Sequence, residues 1–325
     1  MNLLPPLMLA AALTAALMAC GGGEGSSSES QLTSSVSSLA LAASGTARLI
    51  TITNRGPLAA RALLAEATGL PSGSSLRSTC PAALQPGATC VLLVTPGSTP
   101  SATPGDLAPT VGKVTVSAAN AKPLAVDVAV VTYGSVYQGG YVFDLNDNTP
   151  LSASIDGKVL DTIDFGIEYW SPSLTAITGI NENSTPGSNS CDGAVDGRCN
   201  TARIMAQYST GVRNFPAAMC ADSTNGGHAD WYLPALCEMV YNKEDVVGGV
   251  CGTPAAPRLF GNVLSRLYDQ RIYADLFIFY WTSTQSSASP ANDVQLALIE
   301  GDGPGTIAGK GTARLPTRCA RHLTP

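Results

Sequence analysis

Eight cysteines between positions 80 and 319 constrain this chain more than any other feature: Cys80, Cys90, Cys191, Cys199, Cys220, Cys237, Cys251 and Cys319. An even set of thiols outside the cytosol reads as disulfides, and a chain with four bridges must fold around them. Eight cysteines allow about a hundred pairings, so closeness in sequence is the guide. Cys80–Cys90, Cys191–Cys199 and Cys237–Cys251 each close a short loop containing Pro or Gly. Cys220 is then left to reach Cys319, tying the end of the chain to its middle. Structural zinc is the rival reading. No two of these cysteines have CxxC spacing, and only His228 and His322 could assist, so zinc does not fit.

The ninth cysteine stands apart. Residues 1–19 carry no charged side chain, and residues 7–18 are apolar except Thr14. A short apolar run ending in a small residue reads as a secretory signal, and Pro5-Pro6 shortens it further as a membrane span. Leu17-Met18-Ala19-Cys20 followed by three glycines resembles a bacterial lipobox. That resemblance implies that the Cys20 thiol is lipidated, and Gly21 after it favours the outer membrane. The alternative is an ordinary cleaved signal with Cys20 incidental. Acyl chains contribute ~0.8 kcal/mol per buried methylene, so two or more would anchor the chain stably. Residues 20–35, rich in Gly and Ser, read as a flexible tether. At 13% charged residues and a net charge of −6, the composition excludes a coiled coil, a polybasic nucleic-acid binder and a chain disordered by charge.

From residue 36 to 132 short β-type runs alternate with turns: 39–42, 49–53, 89–94, 111–118 and 124–132. Around 95 residues of short strands at regular spacing predict an all-β immunoglobulin-like sandwich. Thr53-Asn54-Arg55-Gly56 and Leu84-Gln85-Pro86-Gly87-Ala88-Thr89-Cys90 resemble the turns of bacterial surface immunoglobulin-like modules. Those modules are spacers.

Residues 133–325 mix periods. Strands are expected at 135–143, 278–284, 293–300 and 313–323. Helices are expected at 201–208, with Asn200 as cap, at 216–221, and at 235–241 after Pro234. Gly139-Gly140-Tyr141-Val142-Phe143, Asn200-Thr201-Ala202, Cys220-Ala221-Asp222, Asp230-Trp231-Tyr232-Leu233-Pro234, Tyr280-Trp281-Thr282-Ser283-Thr284 and Arg318-Cys319-Ala320-Arg321 follow in order. Together they resemble the C-terminal domain of the Legionella collagen-like adhesin. The resemblance implies an α+β C-type-lectin-like domain and a trimeric binder of sulfated glycosaminoglycans, hence a homo-oligomer. No collagen stalk is present here. Residues 231–239 also resemble a run in sulfatase-modifying enzymes of that fold, but their cysteine or metal chemistry has no counterpart.

Charge bears on the ligand. Residues 133–325 hold 12 Lys+Arg and 19 Asp+Glu, a net of −7, against +3 for 36–132. The basic segment of Lys310, Arg314, Arg318 and Arg321 is a candidate anion site, unless these cations pair with the domain's own carboxylates. Trp170, bordering a loop, is the candidate for stacking on sugar, whereas Trp231 and Trp281 are expected in the core. Asp230 is expected to cap a helix, and His228 to be a loop residue. Asp192 and Asp196, with Asn189 and Asn200, are candidate calcium ligands, though their spacing matches no known calcium loop. No cofactor is expected otherwise. Neither Gly-x-Ser-x-Gly nor HExxH occurs, and Gly301-Asp302-Gly303-Pro304-Gly305 lacks the Lys-Ser/Thr of a phosphate loop.

These readings converge on a non-catalytic surface lipoprotein of the outer membrane whose lectin-like head binds a glycan or extracellular-matrix component. A periplasm-facing or secreted placement is the alternative for location. A protein–protein module of the envelope, or an enzyme of unknown chemistry, is the alternative for function. No nucleic-acid partner is expected.

Overall fold

Alternation builds the amino-terminal half. In β3 (Arg48–Asn54) every second residue is buried, and β8 (Thr89–Thr95) repeats the pattern with Cys90, Leu92 and Val94 inward, as a pleated strand with one covered face requires. The computed structural model describes residues 29–107, 110–208, 211–242, 249–273, 276–299 and 307–324. The lipobox-like run ending at Cys20 and the Gly301–Gly305 run lie outside them. The regular structure of the described chain is mainly sheet, with 11% helix.

Two four-stranded sheets face each other. One has the order β1 (Leu32–Ser34), β3, β8, β6 (Ser75–Ser78), and the other β2 (Ser38–Ala42), β10 (Ala121–Val131), β9 (Gly112–Ala118), β5 (Leu64–Thr68). Between them lie Leu39, Leu41, Ile50, Ile52, Leu92, Val94, Val114, Val116, Val126 and Val128, all buried. A short ribbon of β4 (Ala60–Arg61) and β7 (Ala83–Leu84) closes one corner. Every pairing is antiparallel except β2 with β10. The tether expected over 20–35 gives way early. Leu32, Thr33 and Ser34 pair with Asn54, Thr53 and Ile52, and Ser30 is buried with its Oγ bonded to the Asn120 carbonyl. Serine-rich composition conceals a strand whose single apolar anchor is Leu32.

In the second half, β11 (Val136–Tyr137), β12 (Gly140–Asn146), β13 (Asp156–Asp161) and β19 (Ala320–His322) form one antiparallel sheet. Val142 and Val159 point into a core with Trp170, Trp231, Trp281 and Cys220–Cys319. Tyr141, Phe143 and Leu160 point into a second core with Tyr232, Leu236, Leu264 and Tyr280. A two-stranded ribbon of β14 (Phe165–Glu168) and β18 (Leu315–Thr317), and a sheet of β15 (Phe279–Gln285), β16 (Asp293–Leu298) and β17 (Ile307–Gly309), complete it. The single strand expected over 313–323 is thus two, broken at Arg318-Cys319.

The helices are short: α1 (Gly197–Gln207), α2 (Pro216–Ala221) and the single turn α3 (Leu236–Met239). Asp196, not Asn200, caps α1, accepting the Cys199 N–H at 2.9 Å. Asn200 is inside the helix and buried, donating to the Gly193 carbonyl and Ser283. The helix begins at Gly197, directly after the Asp196 cap, and a Cβ there would stand 2.4 Å from Glu238 Oε2. α3 stops four residues in, when Val240 turns extended. Asp230 caps nothing; it is the partner of Arg321.

The two halves are clamped. The hairpin loop of residues 147–155, between β12 and β13, lies on the sandwich. There the buried Arg48 guanidinium bonds Asp147 Oδ1 at 2.5 Å and the carbonyls of Asp147, Thr149 and Pro150. Ser154 accepts the Ala40 N–H, and Ile155 donates to the Ala40 carbonyl. Ala40, Ala129, Val131 and Ile155 form a small shared core.

All four expected pairings occur: the three short loops Cys80–Cys90, Cys191–Cys199 and Cys237–Cys251, and the long closure Cys220–Cys319. No described helix is long and apolar enough to cross a membrane.

Candidate functional site

The residues singled out for binding are mostly interior. Trp170 is fully buried, its Nε1–H donating to the Thr282 carbonyl at 2.7 Å. It has no face to offer a sugar. The Lys310 ammonium covers the ring 4.6 Å from its centroid, a packing partner 140 positions away that the loop-like Trp-Ser-Pro run does not disclose. Lys310 is itself buried, its three donors taken by Thr175 O, Gln285 Oε1 and Pro290 O, and burial pushes its pKa down to about 8. Arg318 is buried against Asp164 at 2.7 Å. Arg321 is buried and doubly bonded to Asp230, at 2.7 and 3.2 Å, and also to Gln138. Arg314 alone of this segment is exposed, stacked 4.5 Å over the Tyr169 ring. The segment therefore pairs largely inward and forms no surface anion patch.

The calcium candidates are engaged too. Asp192 binds Arg258 at 2.6 Å, and Asp196 is the α1 cap. Among the described residues no group of three or more His, Cys, Asp or Glu could hold a metal. His228 ends a tight turn at Asn225–Gly227, as a loop residue.

What the structure does assemble is a groove of about 440 Å³ lined by Tyr241, Pro254, Pro257, Phe260, Arg266 and Asp269, with Ser265 and Gln270 at its edge. Its construction begins at Cys237–Cys251. Beyond that bridge the chain reverses at Thr253 and Ala256, whose backbones bond each other. Gly252, at φ +74°, permits the reversal, since a Cβ there would meet the Ala256 carbonyl at 2.3 Å. Asn262, buried, then accepts the Ser265 N–H and donates to the Leu259 carbonyl. That starts one wide helical turn, Leu264–Tyr268, with Leu264 and Leu267 in the core. Phe260, ahead of that turn, is 72% exposed, and Arg266 and Asp269 line the groove beside it.

The polar groups are held in place. Arg266 donates from Nε to the Phe260 carbonyl at 3.0 Å, and its guanidinium lies 4.5 Å over the Tyr133 ring. Asp269 accepts the Tyr241 hydroxyl at 2.6 Å. Burial, then that bond and the carboxylate's charge, push the Tyr241 pKa up to about 12. The groove thus combines an exposed ring with an acceptor and a donor of opposite charge, in the size range of small-ligand sites. Of two other cavities, one of about 250 Å³ at the junction of the halves is apolar, and one of about 400 Å³ beside residues 29–32 and 122–124 carries Glu29 and Lys122 but no aromatic ring. None of the groove residues stands out in the sequence. The available signal is a bulky Phe260 in a Pro-rich turn directly after a disulfide.

No family model and no curated protein matches the chain. Among solved structures it is similar to the secreted serine protease VesC from Vibrio cholerae, at 11% identity and a TM-score of 0.27, over 45% of this chain and 38% of that one. It is also similar to a Bacteroides ovatus GH5 xyloglucanase in complex with a XXXG heptasaccharide, at 15% identity and a TM-score of 0.22, over 54% and 34%. The chain spans little more than a third of the length of either. Likeness this slight carries no argument about fold or function.

Proposed function

We propose that this chain is a surface lipoprotein, anchored through Cys20 in the outer membrane, whose second half is a lectin-like head that binds a glycan or extracellular-matrix ligand without catalysis. The two-sheet half is then an immunoglobulin-like spacer. The observation that carries the reading is the groove beside Phe260. An aromatic face left open to solvent next to fixed acceptors and donors is what a sugar ring requires, with one apolar face to stack and hydroxyls at its rim. Four disulfides support an oxidising location. Neither histidine hydrogen-bonds a hydroxyl, and all eight described cysteines are bridged, which favours binding over nucleophilic chemistry.

The test is a glycan array probed with the full chain, with calcium and with chelator. Saturable binding in both conditions is the expected result. Binding lost in chelator would return attention to Asp192 and Asp196, and no binding by folded protein would sink the glycan reading. A protein-docking reading has its own support in Ile163, Ile167, Phe277 and Ile278, each about half exposed. It predicts a specific crosslinked envelope protein that is lost in Ile167→Asp.

A further inference from the structure

The cavity where the two halves meet differs in chemistry from the Phe260 groove. One wall belongs to the sandwich and the other to the second half: Ser101, Ala102, Val111 and residues 129–131 face residues 135–139 across about 250 Å³. It exists because β10 outruns β9. β9 begins at Gly112, opposite Val128, so Ala129, Val130 and Val131 have no β9 residue beside them. Ser101 takes that place for Val130 alone, its N–H donating to the Val130 carbonyl at 2.7 Å and its Oγ accepting the Val130 N–H at 2.8 Å. The opposite wall is the tight turn between β11 and β12, where Gln138 adopts φ +49°. A side chain larger than glycine is uncommon there and persists where its surroundings hold it. Gln138 is held, its Oε1 accepting from Arg321 Nη1 at 2.8 Å and from the Thr324 N–H at 2.9 Å.

What the walls offer a ligand follows from these bonds. Among the described residues no charged side chain lines the cavity. Its polar side chains are engaged: Ser101 by Val130, Ser135 by the Thr132 N–H at 2.9 Å, and Gln138 by Arg321 and Thr324, with the Tyr137 hydroxyl against the Gln138 carboxamide. The surface that remains is hydrocarbon, from Ala102, Val111, Val131 and Val136. A charged or hydroxyl-rich ligand would give up its hydration here without gaining partners, whereas a hydrocarbon gains by leaving water. An apolar cavity of ~150 Å³ holds a benzene ring, so this one has room for a longer run of carbons. Val111 lines it and is 44% exposed, which marks the way in.

We propose that this cavity between the halves binds one unbranched aliphatic chain, such as a fatty alcohol, fatty acid or lipid carries. The site is separate from the Phe260 groove and does not depend on the glycan reading. Because both halves supply a wall, the bound chain also bridges them.

The full chain is titrated calorimetrically with straight-chain primary alkanols from butanol to decanol, with a hexanediol bearing a hydroxyl at each end as control, and is floated with phosphatidylcholine vesicles. Affinity should tighten roughly fourfold for each added methylene, the gain from taking one such group out of water, until the chain overfills the cavity. Ala102→Phe fills the cavity from a half-buried position and should abolish binding. Val111→Trp blocks the mouth from a position already open to solvent, and serves where Ala102→Phe does not fold. Far-ultraviolet circular dichroism establishes that each variant folds. No alkanol binding by the folded parent, or affinity that fails to rise with chain length, would overturn the proposal. Binding unchanged in the folded blocking variants would overturn the site. Hexanediol bound as tightly as hexanol would overturn the apolar ligand class. Vesicle binding lost in a blocking variant would support the proposal and assign the chain to a bilayer lipid, whereas alkanol binding without vesicle binding would support it with a free amphiphile as the source.

Discussion

Asp161 shows how one side chain can set a pH dependence. It is buried, with Oδ1 accepting from Asn225 and the Ile163 N–H and Oδ2 without a protein partner. Burial pushes its pKa from 3.8 up to about 6, against the lowering pull of these bonds and of Arg318. Between pH 4 and 6 the folded chain therefore holds more protons here than the unfolded one. This residue's contribution is complete below pH 4 and is lost as pH rises through 6. Asp161→Asn should remove that slope, so the variant gains stability relative to the parent as pH goes from 4 to 7, as urea midpoints would show. Equal slopes in the two proteins would assign Asp161 an ordinary pKa. Little at this scale is legible from sequence. Trp170 and Lys310 look like surface binders because their neighbours in sequence are Ser, Pro, Gly and Thr, whereas neighbours in space, Thr282 for Trp170 and Thr175 for Lys310, lie far along the chain.

At the scale of elements, the bridges differ in what they close. Cys220–Cys319 spans 99 positions, Cys191–Cys199 only 8. By loop-closure entropy the first stabilises by ~4–5 kcal/mol and the second by ~3 kcal/mol or less. Replacing both cysteines of each pair by serine, and comparing denaturant midpoints, should rank them in that order. The reverse order would place the stabilisation in local packing instead of chain entropy. Elements with an apolar period were readable: Arg48–Asn54 and Thr89–Thr95 alternate so cleanly that strand and buried face follow together. The strands Leu64–Thr68 and Ser75–Ser78 were not, because each lies at a sheet edge and buries almost nothing. Their place is set by the backbone ladders of β9 and β8, which sequence patterns do not display. The groove was illegible for a related reason. Its geometry comes from Asn262 capping and Leu264 burial, while the residues that face the opening obey no periodicity.

For the whole molecule, the Arg48 clamp joins the two-sheet half to the second half. Arg48→Ala leaves three carbonyls and Asp147 without their cation, and should cost about 3 kcal/mol, as for a broken partly buried pair. Hydrogen exchange should quicken first over residues 147–155 and at Ala40. Uniform quickening throughout would show that the halves unfold together without a separable joint. The arrangement of β1, β2 and β10 has a mechanical consequence. The chain enters the sandwich at Ser30, beside Asn120, and leaves it at Val131, at the far end of β10. β2 runs parallel to β10 from Ser38↔Asp127 to Ala42↔Val131. A pull between the amino-terminal tail and the second half therefore acts along the strands, loading their ladders in shear with all the bonds sharing the force. A sandwich threaded this way resists traction where a hairpin opened from one end would unzip bond by bond.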